Sequence, residues 1–514
     1  MGQLISRVII VGGGAAGWLT AAILAASNGK QGEKQQLEVM LVESPDIATV
    51  GVGEGTWPSM RTTLQEIGVS ENEFIHFCDV SFKQGSKFIG WRNGGKEYYY
   101  HPFSLPESYT AFNSAVIWNA QKEGQKSFAQ SVCAQAIVCE NNLAPKQVST
   151  PEYAFNVNYG YHLNAGKFTD FLRQHCVEKL GVLHLQQNIT SVNQDDKGFI
   201  TSLDTQCGES LAGDLFIDCS GGAALLIGKC YGIPMVNQDH ILFNNRAVAT
   251  QVPYRNEEAE IQSCTLSTAQ QSGWIWDIGL TSRRGVGYTY SSEFATREEA
   301  ERELSAYVLE NEGLAKVEEL NLKHISFNPG FREKFWTKNC VAIGMSAGFI
   351  EPLEASALVM VERSAKLLSE QFPLNLQATE VLAKRFNKTM RYHWDKIIDF
   401  LKLHYVLTER DDSPYWLAHK DQCSIPDSLQ DLIELWRYQP PWKYDSYRVD
   451  ELFPSASYQF VLYGMGFKAQ YLSGNSEISA SDYFRAVQQK SNQYIQALPK
   501  NRALLGELKN KIRI

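Results

Sequence analysis

The sequence predicts a mixed α/β (α+β) fold: a βαβ unit opens the chain, an antiparallel sheet is inserted in the middle, and a mainly helical second subdomain follows. The first observation is RVIIVGGGAAGWLTAAILAAS, which is typical of a strand, a glycine turn and a helix. The second is a set of β-rich runs between residues 245 and 292. The third is the mostly helical pattern from about Ala355 onward.

The opening unit continues with LEVMLVES, residues 37–44, as its second strand. Helices are predicted over residues 58–67 and 165–180, because each amphipathic stretch is followed by a glycine that ends it. The β-rich runs predict a sheet with one covered face. Together these segments predict a discontinuous nucleotide-binding box over about residues 1–360 and a mainly helical region over 361–514 that completes a substrate site.

The composition predicts a full hydrophobic core, since 44% of the 514 residues are hydrophobic and 11% are aromatic. With 48 Lys plus Arg against 57 Asp plus Glu, and no basic block, a nucleic-acid partner is not expected. The ten cysteines include no CxxC pair. The sequence therefore predicts no metal site and a reducing, cytoplasmic location.

Residues 8–26 carry no charge and imitate a signal peptide or a short membrane span. Three consecutive glycines, Gly12 to Gly14, follow a β-branched run inside this stretch. Such a cluster suits a turn between a strand and a helix better than a helix surrounded by lipid. No membrane association is expected.

Gly12, Gly14 and Gly17 match the GxGxxG pattern directly after a strand and at the start of a helix. Glycines let the backbone approach a pyrophosphate, which the amides of the helix N-terminus then bind. Glu43 ends the second strand, where an acidic side chain accepts from a ribose hydroxyl. At this point a glycine turn made for packing, with Glu43 as an exposed carboxylate, remains the alternative.

No second GxGxxG opens a helix in this sequence, so one dinucleotide is expected and not two. This favours FAD alone as the cofactor. If a nicotinamide nucleotide reduces that FAD, the reduction is expected on a separate flavin reductase.

Several motifs resemble those of the flavin-dependent tryptophan halogenases, in order from residue 8 to about 360, with a weaker match near Tyr458: GGGAAGW, VGVGEGTWPSM, SFKQGSKFIGW, YHPF, SGWIWDIG and FIEPLEASAL. The resemblance implies an FAD-binding box of the aromatic-hydroxylase type. It also implies an enzyme that uses FADH2 and O2 to oxidise a halide to hypohalous acid. That acid then halogenates an indole or another electron-rich aromatic near a lysine.

By this resemblance the lysine is Lys83, and Glu354 is the glutamate that assists it and stabilises or deprotonates the cationic ring intermediate. An ammonium polarises hypohalous acid by hydrogen bonding, whereas a neutral amine is itself halogenated. Taken alone, Lys83 reads as a solvated surface group and Glu354 as a carboxylate at a helix N-terminus. A buried Glu354 needs a partner, and the nearby lysine is expected to supply it.

The resemblance assigns the halide to Ser356 and Ala357, where the family usually has Thr-Gly. Since alanine resists backbone angles that glycine permits, bromide is expected to outcompete chloride. Ala355 replaces a serine that is usual beside the glutamate. Further cofactor contacts are implied for Ala15, Gly53, Glu54, Gly344 and Leu358.

Trp274 and Trp276 lie two positions apart on one predicted strand and therefore share a face. In the family this pair shields the flavin from the organic substrate; without the resemblance it reads equally as sheet packing. His101 and Phe103 match positions that stack on the substrate ring, and Phe453 falls at an aromatic clamp. The residues that hold the amino-acid end of tryptophan are not matched, so a smaller aromatic is expected.

Two alternatives remain at the level of sequence: a flavin monooxygenase that hydroxylates an aromatic ring, and a non-catalytic flavin-binding redox sensor. Relatives of the first commonly have Gly-Asp where this chain has Gly344 and Met345. A sensor needs no buried Lys and Glu across a tunnel from the flavin. The sequence leaves open whether the protein is a homodimer.

Overall fold

The computed structural model describes residues 4–28, 37–47, 53–121, 126–312, 317, 320–470 and 479–512. Its strands are β1 (Arg7–Val11), β2 (Glu38–Glu43), β3 (Glu54–Gly55), β4 (Ser81–Lys83), β5 (Gly85–Ile89), β6 (Tyr98–Pro102), β7 (Gly160–Leu163), β8 (Leu183–Gln186), β9 (Ile189–Gln194), β10 (Ile200–Thr205), β11 (Ser210–Ala212), β12 (Leu215–Asp218), β13 (Met235–Asn237), β14 (Arg246–Pro253), β15 (Thr265–Ala269), β16 (Gly273–Gly279), β17 (Arg283–Tyr290), β18 (Lys323–Ser326), β19 (Gly330–Arg332), β20 (Trp336–Thr337), β21 (Cys340–Ala342) and β22 (Gly348–Phe349). Its α-helices are α1 (Ala15–Asn28), α2 (Ser59–Glu66), α3 (Glu71–Phe77), α4 (Ser114–Asn119), α5 (Phe128–Val132), α6 (Ala134–Glu140), α7 (Ala165–Lys179), α8 (Arg297–Glu312), α9 (Ser356–Glu370), α10 (Leu376–Val406), α11 (Pro414–His419), α12 (Asp427–Tyr438), α13 (Ser455–Gly464), α14 (Ala480–Ala497) and α15 (Asn501–Ile512).

The opening βαβ unit forms the centre of a six-stranded sheet in the order β20-β21-β12-β1-β2-β8. Strand β1 is parallel to both of its neighbours, β2 and β12. Four of its five residues are buried, which is the pattern of a parallel strand covered on both faces. Helix α1 packs against α7 and α9. The uncharged stretch 8–26 is therefore a strand and a helix of the core.

The inserted sheet has seven strands in the order β18-β14-β17-β16-β15-β5-β6, antiparallel except for the β15 and β5 pair. This confirms the predicted antiparallel insertion and adds β5 and β6, which precede the β-rich runs in sequence. The prediction of a single covered face is wrong for β16, all of whose residues are buried. Ile275 packs in a cluster with Leu304 of α8, while Trp274 and Trp276 face the main core.

A small sheet, β3-β7-β4, joins two motifs that are separate in sequence. Strand β7 pairs with β3 through Gly55 and His162, and with β4 through Lys83 and Gly160. Gly55 and Lys83 are thereby brought to one place.

The C-terminal part is mainly helical, as the sequence predicts, and contains the 31-residue helix α10. Helix α13 packs on β6 and on α10. Among the helices of the described residues, none combines the length and the apolar composition required to cross a membrane. The mixed α/β architecture with parallel and antiparallel sheets is the predicted fold class.

Candidate active site

Lys83 ends β4 and is only 1% exposed, so its reading as a solvated surface lysine is wrong. Burial lowers the pKa of Lys83 to about 8, against the negative charge of Glu354, which raises it. The ring centroid of Phe103 lies 5.4 Å from the Lys83 Nζ. At neutral pH the site therefore holds an ammonium in mainly apolar surroundings.

Glu354 lies directly before α9 and is also buried. Both Glu354 and Ala355 have left-handed backbones, with φ of 62° and 56°. Consecutive non-glycine residues in this region are strained, which indicates that the surrounding fold constrains this turn. Burial alone raises the pKa of Glu354, but its interaction with His101 and the charge of Lys83 outweigh it and hold the pKa below its ordinary value.

The direct partner of the Glu354 carboxylate is a histidine and not the lysine. Among the described residues, no ion pair within 4.0 Å joins Lys83 to Glu354; instead His101 Nδ1 lies 2.7 Å from Glu354 Oε1. An ionised carboxylate only accepts, so Nδ1 carries the proton. The expected lysine does act on Glu354 through its charge, and the structure adds a histidine of β6 at shorter range.

His404 of α10 is a site residue that the sequence did not indicate. Its Nε2 lies 3.5 Å from Glu354 Oε1, and its Nδ1 lies 2.7 Å from the Tyr99 hydroxyl. Burial lowers its pKa to about 3, so the ring is neutral. One histidine in a long amphipathic helix carries no local signal for such a role.

A cavity of about 170 Å³ has Lys83 and Glu354 in its wall. Its lining also includes six of the thirteen residues predicted for the flavin, the halide and the shield: Gly53, Glu54, Trp274, Trp276, Ala357 and Leu358. The residues of the glycine turn, Gly12, Gly14, Ala15 and Gly17, do not line it, and neither do Glu43 and Gly344. Of the described residues, Ser356, His101, Phe103 and Phe453 do not line it. We call the region that this cavity occupies, next to Lys83 and Glu354, the cavity side of these two residues.

The two predicted shielding tryptophans lie on one face of β16, with ring centroids 6.3 Å apart. Their exposed fractions are 1% for Trp274 and 6% for Trp276. The Trp274 Nε1 donates to Glu351 Oε2 at 3.2 Å, which fixes the orientation of that ring. The pair is a rigid wall of the cavity.

Ser356 and Ala357 form the first turn of α9, a helix of 15 residues. Amides of a first helical turn lack partners within the helix and carry the positive end of its dipole. Ala357 contributes to the cavity lining, whereas Ser356 is buried behind it. In the same cavity, burial raises the pKa of Glu54 to about 7.

On the other side of Glu354, four aromatic side chains pack together; we call Trp57, His101, Phe400 and Phe453 the aromatic cluster. Phe453 stacks on Phe400 with centroids 3.7 Å apart and meets Trp57 edge-on at 4.9 Å. The His101 ring lies 5.5 Å from Phe400. Trp57 and Phe400 were not indicated by the sequence, since neither lies in a motif with a stated role.

The glycine turn between β1 and α1 has the geometry that its pattern predicts. Gly12 has φ of 117°, and a Cβ there would lie 2.2 Å from the Cys219 carbonyl oxygen. A Cβ on Gly17 would meet the Gly12 carbonyl at 1.9 Å, whereas one on Gly14 would meet nothing within 4 Å. The turn is therefore tight toward the sheet and open at Gly14.

Glu43 and Gly344 both lie beside this turn. The Glu43 carboxylate lies where a Cβ of Gly13 would be and accepts from His184 Nε2 at 2.7 Å. A Cβ on Gly344 would lie 2.7 Å from that of Ala16, so the turn after β21 approaches α1 closely. Ala15 begins α1 at the same turn.

The family model for tryptophan halogenases matches residues 7–477. The chain belongs to the tryptophan halogenase family. A tryptophan halogenase from Shewanella frigidimarina has a solved structure that is 45% identical, covers 99% of this chain and 98% of its own, and superposes with a TM-score of 0.94. Tryptophan 6-halogenase ThaL of Streptomyces albogriseolus is 31% identical over 99% of both chains. Tryptophan 7-halogenase RebH of Lentzea aerocolonigenes is 34% identical over 85% of this chain and 83% of its own.

As a member of this family the protein is a flavin-dependent halogenase, an oxidoreductase that uses FAD and a halide and acts on an aromatic small molecule. The monooxygenase and sensor alternatives are not favoured. The glycine turn fits the cofactor, because the open space at Gly14 leaves room for a pyrophosphate at the start of α1. Glu43 lies at the end of β2, beside the same turn.

Proposed function

We propose that Lys83 and Glu354 form the reacting centre of an FADH2- and O2-dependent halogenase. Bound reduced FAD supplies two electrons, the halide supplies two, and O2 accepts four, which yields hypohalous acid and water. The observation that carries the proposal is the cavity whose lining includes residues assigned to the flavin together with Lys83 and Glu354. The Lys83 ammonium donates a hydrogen bond to the acid and polarises it, and the Glu354 carboxylate stabilises and deprotonates the cationic ring.

We propose that the halide binds at the first turn of α9, to main-chain amides of Ser356 and Ala357. Ala355, whose backbone is left-handed, directly precedes this turn, and Ala357 lines the cavity. The methyl of Ala357 restricts how well the amides can be aimed. Because chloride is costlier to dehydrate than bromide, bromide is expected to outcompete it. A competition at equal concentrations tests this: mainly chlorinated product contradicts it, and a return of chlorination in Ala357→Gly locates the cause.

We propose that the substrate is indole or another small electron-rich aromatic, and that free tryptophan is a poor substrate. His101, Phe103 and Phe453 provide ring surfaces near the reacting centre. Arg448, which falls where relatives hold the amino-acid end, is paired with Asp450 at 2.8 Å. Residues 361–514 complete this side of the site, since they supply Phe400, Phe453 and Ser457, whose hydroxyl pairs with His101 Nε2 at 2.9 Å.

We propose that a separate flavin reductase supplies FADH2, that the protein works in the cytoplasm, and that a homodimer is one candidate assembly. One incubation tests the function: the protein, FAD, NADH, a flavin reductase, O2, bromide and indole. The mass of the product distinguishes an added halogen, which is expected, from an added oxygen or no change. Rapid NADH consumption without the reductase would contradict the single-dinucleotide assignment.

A further inference from the structure

Trp57 makes an unusual contact with the reacting centre. Its Nε1 donates to the main-chain carbonyl of Glu354 at 2.7 Å, and its ring meets Phe453 edge-on at 4.9 Å. An indole of the protein thus occupies a place beside Glu354, in contact with a ring assigned to the substrate.

The place that Trp57 fills has the features that an aromatic substrate requires. The Glu354 carbonyl accepts the Trp57 N–H, Phe453 and Phe400 supply ring surfaces, and the backbone of Trp57 approaches Gly160, the partner of Lys83 in the small sheet. A second indole entering here would compete for the same acceptor and the same aromatic edge.

Trp57 is also better placed to move than the shielding pair. It is half-buried, whereas Trp274 and Trp276 are almost fully buried within β16. It follows the end of β3 at Gly55 and precedes α2, so its side chain is not packed into a sheet. Rotation about its side-chain bonds requires no change in a strand.

We propose that Trp57 occupies the place of the aromatic substrate and is displaced by it, so that Trp57 determines the size and type of ring that the enzyme accepts. This inference rests on the proposed function. An incoming indole takes over the hydrogen bond to the Glu354 carbonyl and the edge contact with Phe453. A ring without an N–H leaves the carbonyl without that donor.

Two substitutions test the proposal by steady-state kinetics with indole, 1-methylindole and 2-phenylindole. Trp57→Phe removes the competing N–H, so the KM for indole is expected to fall about tenfold, while that for 1-methylindole changes little. Trp57→Ala opens space, so kcat/KM for 2-phenylindole relative to indole is expected to rise about tenfold. Trp118→Phe, at a half-buried tryptophan against Phe128, is the matched control and is expected to leave all three unchanged.

A measurement without turnover separates this inference from the proposed function. In protein labelled with 5-fluorotryptophan, the fluorine resonance that is missing in Trp57→Phe identifies Trp57. Indole added without a reductant is expected to shift that resonance. If the wild type halogenates indole but this resonance, the KM of Trp57→Phe for indole and the kcat/KM ratio of Trp57→Ala are all unaffected, the inference is wrong. If no aromatic is halogenated, the proposed function fails, and the resonance still decides whether a ring displaces Trp57.

Discussion

The cavity side of Lys83 and Glu354 is an open volume of about 170 Å³, walled by small residues such as Gly53 and Ala357 and by two fixed tryptophans. The aromatic cluster on the other side is filled with rings whose centroids lie as close as 3.7 Å. A halide and its oxidised acid need only a narrow, unreactive passage, whereas an aromatic substrate needs ring surfaces and a hydrogen-bond acceptor. The two sides therefore match reactants of different size and polarity, with one ammonium and one carboxylate between them.

The two sides also differ in what supports them. Trp274 and Trp276 project from a strand that is buried on both faces, so their orientation is determined by the sheet. In the aromatic cluster, Trp57 lies between β3 and α2 and Phe453 lies between α12 and α13. Side chains on connecting segments adapt more readily than those on strands. Trp274 and Trp276 are thus a rigid part of the site, and Trp57 and Phe453 are the part in which specificity can vary.

The largest effect is expected for Lys83→Ala, which tests whether the two sides of the site act in separate steps. Halogenation is expected to fall roughly 10³-fold, because the variant lacks the ammonium that polarises hypohalous acid. Oxygen consumption by the reduced enzyme is expected to persist, since Lys83 acts after that step. Lys87→Ala is the control. Lys87 lies on β5, and its Nζ is 4.0 Å from the ring centroid of Tyr98. Loss of both activities in a folded Lys83 variant would show that the two sides do not work separately.

Glu354→Gln tests the carboxylate at the same boundary. Halogenation is expected to fall roughly 10²-fold, because an amide neither accepts the ring proton nor balances a cationic ring. The production of hypohalous acid, measured with a thiol scavenger in solution, is expected to change little. A parallel loss of the acid would assign Glu354 to the cavity side instead.

The pH dependence of kcat tests the charge of Lys83. Its pKa is lowered to about 8, so the ammonium is present below pH 8 and is lost as the pH rises through that value. Above pH 8, kcat for halogenation is expected to fall about tenfold per pH unit, as for any single deprotonation. Oxygen consumption measured over the same range serves as the reference. A kcat that stays constant up to pH 9.5 would mean that the neutral amine suffices.

The smallest effect is expected for Glu54 on the cavity side. Its pKa is raised to about 7, so the carboxyl is neutral below pH 7 and negative above it. A negative charge in the cavity repels a halide by roughly 1 kcal/mol. The KM for bromide is therefore expected to rise severalfold between pH 6 and pH 8. Glu54→Gln is expected to abolish this rise. The same rise in the variant would assign the titration to another group.

Local patterns in the sequence determined the βαβ unit, the turn at Gly12, the helical region from about Ala355 onward, and the shared face of Trp274 and Trp276. These features depend on residues a few positions apart, and their spacing and turn residues can be recognised in a single sequence. The resemblance added Lys83 and Glu354, which local pattern alone reads as ordinary surface or helix-end groups.

Only the tertiary structure decided how these groups are held. His101 and Glu354 are 253 positions apart, and His404 reaches the same oxygen from a third element. The burial of Lys83, the addition of β5 and β6 to the inserted sheet, and the contact of Trp57 with the Glu354 carbonyl likewise join distant segments. Burial and pKa depend on which elements pack together, and a single sequence carries no periodic signal for contacts at such separations.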